Sequence, residues 1–170
     1  MPHTATMLSM STLTIMKEVK LAACFSAALF VPELKATSKQ QVLEEMVDHL
    51  FQHGRVKDRG LVLEMISQRE NLGSTGIGKG IAVPHGRSLA APELSLVFAR
   101  SSAGIEYDAL DKQPVHLFFM IVAPPQERSN IYLPVLGKIV EKVKESRIRS
   151  RLMKLEDLEE LKKVFFPDAQ

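Results

Sequence analysis

The chain has 170 residues, 45% apolar and 25% charged, which suits one domain with a real core. A net charge of +2 is too small to argue for nucleic acid or a membrane surface. One cysteine, Cys24, excludes an internal disulfide and suits a reducing, cytoplasmic setting.

Residues 1–12 are loose in composition, rich in Ser, Thr and Met. The expectation is a disordered start over residues 1–14 and one domain over 15–166. The longest apolar run, Leu21 to Val31, stops at Pro32 and is too short to span a bilayer. Leu21-Ala22-Ala23-Cys24 superficially resembles a lipoprotein cleavage box. Lys17, Glu18 and Lys20 interrupt the apolar stretch that should precede it. The run therefore reads as a core segment with a buried Cys24, and no membrane insertion is expected.

A helix starts at Ser38, which has capping-box spacing to Gln41. Leu43, Met46, Val47, Leu50 and Phe51 follow the i, i+3, i+4 pattern, and Gly54 ends it. A second helix runs from Asp58 to Glu70, with Leu61, Met65 and Ile66 inward. Ile81 to His85 reads as a short strand reaching a turn. Leu94–Ala99 and Val115–Val122 read as further strands, the latter apolar almost throughout as if buried on both faces. Leu136, Ile139, Val140 and Val143 make a helical stripe, and Leu158, Leu161 and Phe165 a terminal one. Helices bracket strands, so the class is α/β with a central sheet covered on both faces.

Between the second helix and the first strand lies Gly73-Ser74-Thr75-Gly76-Ile77-Gly78-Lys79-Gly80. It has the Gly-x4-Gly-Lys spacing of a P-loop, but Gly80 stands where Ser or Thr should hold magnesium. A P-loop also follows a strand and opens a helix, the reverse of this order. Two readings stay open. Successive backbone N–H groups at Ser74, Thr75 and Gly76, with two hydroxyls, could cradle an anion. Alternatively, the segment is a tight connection needing glycine at positive φ.

His85 follows Pro84 and precedes Gly86. A neutral imidazole nitrogen is a good phosphoryl acceptor near pH 7. A guanidinium such as Arg69 and convergent N–H donors would stabilise the equatorial oxygens in transfer. Spacing alone leaves His85 divided between a structural and a reactive role.

The run from Arg69 to Gly86 closely resembles the active-site signature of phosphotransferase-system IIA domains of the fructose/mannitol type, which include the nitrogen-regulatory IIA proteins. Ser38–Leu50, Ile105–Val115 and Phe118–Pro124 add matches, so the resemblance covers roughly residues 15–165. It implies a single α/β domain with a mixed sheet flanked by helices. It implies that His85 takes a phosphoryl group from an HPr-type phosphocarrier protein, with Arg69 as the phosphate-stabilising arginine. No cofactor or metal is implied. One departure stands out: many members carry a second active-site histidine in a His-Leu pair, and here the pair is Tyr132-Leu133.

His116 could line the site or be a satisfied strand histidine. His49 and His53 are one helical turn apart with no third metal ligand, and read as a solvated face. The basic stretch from Lys142 to Lys154 has no interleaved aromatics, which argues against stacked nucleic acid. It reads as a solvated helix face or a docking patch for an acidic partner. The leading functional reading is a phosphohistidine carrier that regulates a target protein. The alternative is a sugar-specific IIA component that passes the phosphoryl group to a IIB domain.

Overall fold

A computed structural model describes residues 9–168. Residues 1–8 of the expected disordered start lie outside the described residues. Residues 10–14 do not follow that expectation: they open helix α1, Met10–Ser26, where Ser9 Oγ accepts the Thr12 N–H at 3.2 Å. The apolar run from Leu21 spans the end of α1 and strand β1, Leu29–Val31. Cys24 is half-buried there, not fully buried as expected.

Helix α2, Lys39–Gln52, is capped by Ser38, whose Oγ accepts the Gln41 N–H at 3.3 Å. Gln41 reaches back to the Thr37 N–H at 2.9 Å, one residue beyond the usual reciprocal partner. Gly54, at φ 69°, closes the helix. Arg55 N–H bonds Leu50 O at 2.9 Å and Gly54 N–H bonds Phe51 O at 3.1 Å, a Schellman motif. Helix α3, Arg59–Asn71, is capped by Asp58. The inward stripes differ by one residue from expectation: Val42 and Val62 are buried, while Phe51 and Leu61 are 47% and 43% exposed.

Strands follow at β2 (Gly76–Gly78), β3 (Ile81–Ala82), β4 (His85–Arg87), β5 (Ser95–Ile105) and β6 (Val115–Ala123). The sheet order is β1-β5-β6-β3-β2, with β4 also pairing β6. It is mixed: β1 runs parallel to β5, β5 antiparallel to β6, and β3 and β4 both parallel to β6. β3 and β4 share one edge of β6 and are separated by Val83-Pro84. Proline donates no backbone hydrogen bond, so the ladder breaks there and resumes at His85. His85 therefore opens a second strand segment, not the turn that the sequence suggested.

Helices α4 (Tyr132–Lys142), α5 (Ser146–Leu152) and α6 (Leu158–Phe165) complete the chain. Leu117, Phe119, Ile121 and Ala123 of β6 face one core with α1, α4, α5 and α6. Phe118, Met120 and Val122 face the other core with α2 and α3. The period-2 alternation of β6 thus feeds both layers of an α/β sandwich. Within the basic stretch, Arg149 Nη1 donates to Val143 O and Lys144 O at 2.8 and 2.7 Å, closing the end of α4. No helix among the described residues is long and apolar enough to cross a membrane.

Candidate functional site

The glycine-rich segment is a β-hairpin. Gly78 pairs Ile81 across a two-residue turn, Lys79-Gly80, and both turn residues have positive φ, 58° and 79°. That is the signature of a type I′ turn. Gly76 is required for a different reason: a Cβ there would meet Ala109 Cα at 2.8 Å.

Three N–H groups of this segment are committed to side-chain acceptors. Thr75 N–H bonds Glu70 Oε2 at 3.2 Å, Gly76 N–H bonds Ser74 Oγ at 3.1 Å, and Lys79 N–H bonds Asp111 Oδ2 at 2.9 Å. The Thr75 hydroxyl is buried on Glu70 Oε1 and 3.2 Å from the Tyr107 hydroxyl. Thr75 and Gly76 are therefore not an anion cradle. Val83 N–H bonds Thr75 O at 3.0 Å, so the β2–β3 register continues and sets Ser74 beside Pro84. Ser74 stays near His85, but its hydroxyl leans 3.5 Å from Tyr107 O.

Glu70 is the hub that sequence reasoning missed. Its buried carboxylate takes Lys39 Nζ at 2.8 Å and the Tyr107 hydroxyl at 3.0 Å besides Thr75. Burial, then the Glu70 charge, pushes the Tyr107 phenol well above its ordinary pKa, so it remains a donor. Lys39 Nζ also lies 4.5 Å from the Tyr107 ring centroid. The network fastens the glycine segment to α2 and α3.

His85 pairs Ile121 and Arg87 pairs Ala123, so both point into the α4 layer. Gly86 points the other way, against α3, where a Cβ would meet Met65 Sδ at 2.0 Å. The half-buried His85 ring has Nδ1 2.7 Å from Val83 O. A carbonyl can only accept, so Nδ1 carries the proton and the Nε2 lone pair is free.

Tyr132, at the start of α4, has its ring centroid 6.3 Å from that of His85. The Arg87 guanidinium lies 4.3 Å from the Tyr132 ring centroid, and its Nη1 donates to Pro124 O at 3.1 Å. Burial pushes the Tyr132 pKa up, and the charges of Arg87 and then Arg69 pull it back. Arg69, in the last turn of α3, is held by Gly73 O at 2.9 Å. The charges of both guanidinium groups thus reach the Tyr132 phenol, and Arg87 lies against its ring. Arg87 was not singled out from sequence, although its i+2 spacing from His85 on a strand would have put the two on one face.

The start of α4 adds little positive potential. Glu127 Oε2 already accepts the Ile131 N–H at 2.8 Å and the Tyr132 N–H at 3.3 Å, and Pro134 has no N–H. An ionised carboxylate at a helix N-terminus offsets the dipole that would otherwise attract an anion.

His116 does not join the site. It lies five positions before Ile121 on β6, roughly 16 Å along the strand from the partner of His85. Its Nδ1 donates to Ser101 O at 2.9 Å, in a separate shallow pocket with Lys79 and Arg149. His49 and His53 have ring centroids 4.3 Å apart on α2, and burial followed by the His53 charge lowers the His49 pKa.

Residues 23–166 match the family model for the phosphoenolpyruvate-dependent sugar phosphotransferase system, EIIA 2. The PTS system fructose-specific EIIABC component of Bacillus subtilis is 37% identical over 123 residues, a match spanning 72% of this chain and 19% of that longer component. A nitrogen regulatory protein of Bradyrhizobium diazoefficiens is 31% identical over 134 residues, spanning 79% of this chain and 86% of that one. The crystal structure of nitrogen regulatory protein IIA-Ntr from Neisseria meningitidis superposes with a TM-score of 0.75 at 29% identity, covering 86% of this chain and 99% of that one. With its mixed six-stranded sheet and family match over most of its length, this chain belongs to the EIIA 2 family of the phosphoenolpyruvate-dependent sugar phosphotransferase system.

Proposed function

We propose that this chain is a cytoplasmic phosphohistidine carrier of the phosphotransferase system, accepting a phosphoryl group on His85 Nε2 from an HPr-type protein and using it to regulate a partner. The observation that carries the reading is the His85 ring: Nδ1 is tied to Val83 O at 2.7 Å, Nε2 has no hydrogen-bond partner among the described residues, and the Arg87 guanidinium lies on the Tyr132 ring beside it.

The chemistry balances without a base. The donor is a phosphohistidine protonated on its other ring nitrogen. The His85 Nε2 lone pair attacks phosphorus as the donor N–P bond breaks, and the donor leaves as neutral imidazole with that electron pair. His85 keeps its Nδ1 proton, and Val83 O steadies the cationic ring that results. Positive groups stabilise the charge spread over the equatorial oxygens.

A protein donor suits the surroundings. Leu72, Leu89 and Leu133 adjoin the site residues in sequence and are 85%, 84% and 67% exposed. Large exposed apolar side chains around a charged centre fit a protein interface. Transfer onward to a sugar-specific IIB domain is the second reading, favoured by the 37% identity to a fructose-specific component.

The test is labelling by a phosphorylated HPr-type carrier. The chain should acquire acid-labile, alkali-stable phosphate, and His85→Ala should acquire none. Undiminished labelling of that variant refutes the assignment. Rapid discharge to a fructose- or mannitol-type IIB domain would select the sugar reading over the regulatory one.

A further inference from the structure

Resting on His85 as the acceptor, we infer that Arg87 and Tyr132 are a further catalytic pair for the transfer: the guanidinium stacked on the phenol supplies charge to the phosphoryl oxygens, and the phenol O–H supplies a hydrogen bond.

Three observations converge on this. Strand alternation aims His85 and Arg87 into one layer, where Ile121 and Ala123 are their register partners. Tyr132 contacts both, with its ring centroid 6.3 Å from the imidazole and 4.3 Å from the guanidinium carbon. Arg87 is also held at two points, because Nη1 donates to Pro124 O at 3.1 Å while the guanidinium carbon sits over the Tyr132 ring. Anchoring by Nη1 leaves Nε and Nη2 without acceptors among the described residues, and a planar guanidinium presents such edge donors to phosphate in a preset geometry.

Arg87 is in no ion pair among the described residues. An arginine that is held in place but not neutralised keeps its charge for an incoming anion. The need for that charge is physical. Tyr132 is a neutral phenol, and Glu127 occupies the N–H groups at the start of α4. Arg87, on the α4 side, is then the cation placed against Tyr132, and the Arg69 charge reaches the same phenol from α3. As the donor N–P bond breaks and the bond to Nε2 forms, the pair binds oxygens; no proton moves to or from it.

The experiment is the rate of phosphoryl loading from a phosphorylated HPr-type carrier. Arg87→Ala and Arg87→Gln should each slow loading roughly 10- to 100-fold, less than the loss of a fully enclosed donor because Arg87 is solvent-exposed. Tyr132→Phe keeps the stack and loses the O–H, so it should slow loading by a smaller, several-fold factor. Low-millimolar guanidinium chloride should restore part of the rate to Arg87→Ala and none to His85→Ala. A merely structural role for Arg87 would not respond to free guanidinium.

The pair is refuted if both Arg87 variants load at the rate of the unsubstituted chain while His85→Ala takes no label. It is equally refuted if slowed Arg87→Ala shows no guanidinium rescue. Labelling of His85→Ala would instead remove the acceptor assignment and the pair with it.

Discussion

Replacing Glu70 with alanine tests whether the buried network holds the glycine hairpin. The carboxylate is 4% exposed as a side chain and is shared by Lys39, Tyr107 and both the hydroxyl and N–H of Thr75. Breaking a buried ion pair costs about 3–5 kcal/mol, and each orphaned buried donor about 1–3 kcal/mol. Lys39 is 27% exposed and rehydrates, which reduces the first contribution. Tyr107 is fully buried and its hydroxyl keeps only Thr75 as a partner. The expected loss is about 3–5 kcal/mol, or roughly 6–20 °C in melting temperature for a chain of this size. Urea unfolding should show a lower midpoint with an unchanged slope. Adding Lys39→Met should make the double variant cost less than the sum of the singles, because the orphaned ammonium is gone. A loss under about 1 kcal/mol for Glu70→Ala, or strict additivity, would refute the hub.

Two further outcomes follow from packing and from titration. Gly86→Ala should cost about 1–3 kcal/mol by overpacking Met65, and a Met65→Ala background should relieve most of it; equal costs in both backgrounds would remove the α3–β4 contact as the cause. Burial, aided by the Glu127 charge, pushes the Cys24 thiol up to about 12 from 9.0. Between those values the unfolded chain has lost the proton and the folded chain has kept it, so stability falls as pH rises, by up to ~1.4 kcal/mol per pH unit. Denaturation at pH 8 and pH 10.5 should show this drop reduced in Cys24→Ala, and an identical drop in both proteins would refute it.

The elements that local chemistry dictates were legible in the sequence. Ser38 and Asp58 each cap a helix through a side-chain oxygen, and Gly54 stops one at positive φ. The apolar run of β6 from Leu117 to Ala123 does serve two cores. What escaped depends on contacts distant in sequence. Glu70 reads as one more charge at a helix end until Lys39 and Tyr107 arrive from other elements. His116 reads as a neighbour of the site until register separates it from His85.

The glycine run was ambiguous for a deeper reason. A hairpin at positive φ and an anion cradle both demand residues without Cβ, so composition cannot separate them. The N–H partners do separate them. Glu70, Ser74 and Asp111 take the N–H groups of Thr75, Gly76 and Lys79, which turns an apparent phosphate loop into scaffolding. That reassignment moves the burden of charge stabilisation onto side chains. Helix α4 begins beside His85, yet Glu127 caps it, so backbone dipoles contribute little there. If His85 accepts a phosphoryl group as proposed, the Arg87 side chain, with the Arg69 charge behind it, is the means offered for holding a dianion at Nε2. Side-chain charge on an exposed edge can be approached from solvent and released again, which suits the proposed receipt of a phosphoryl group from one protein and its delivery to another.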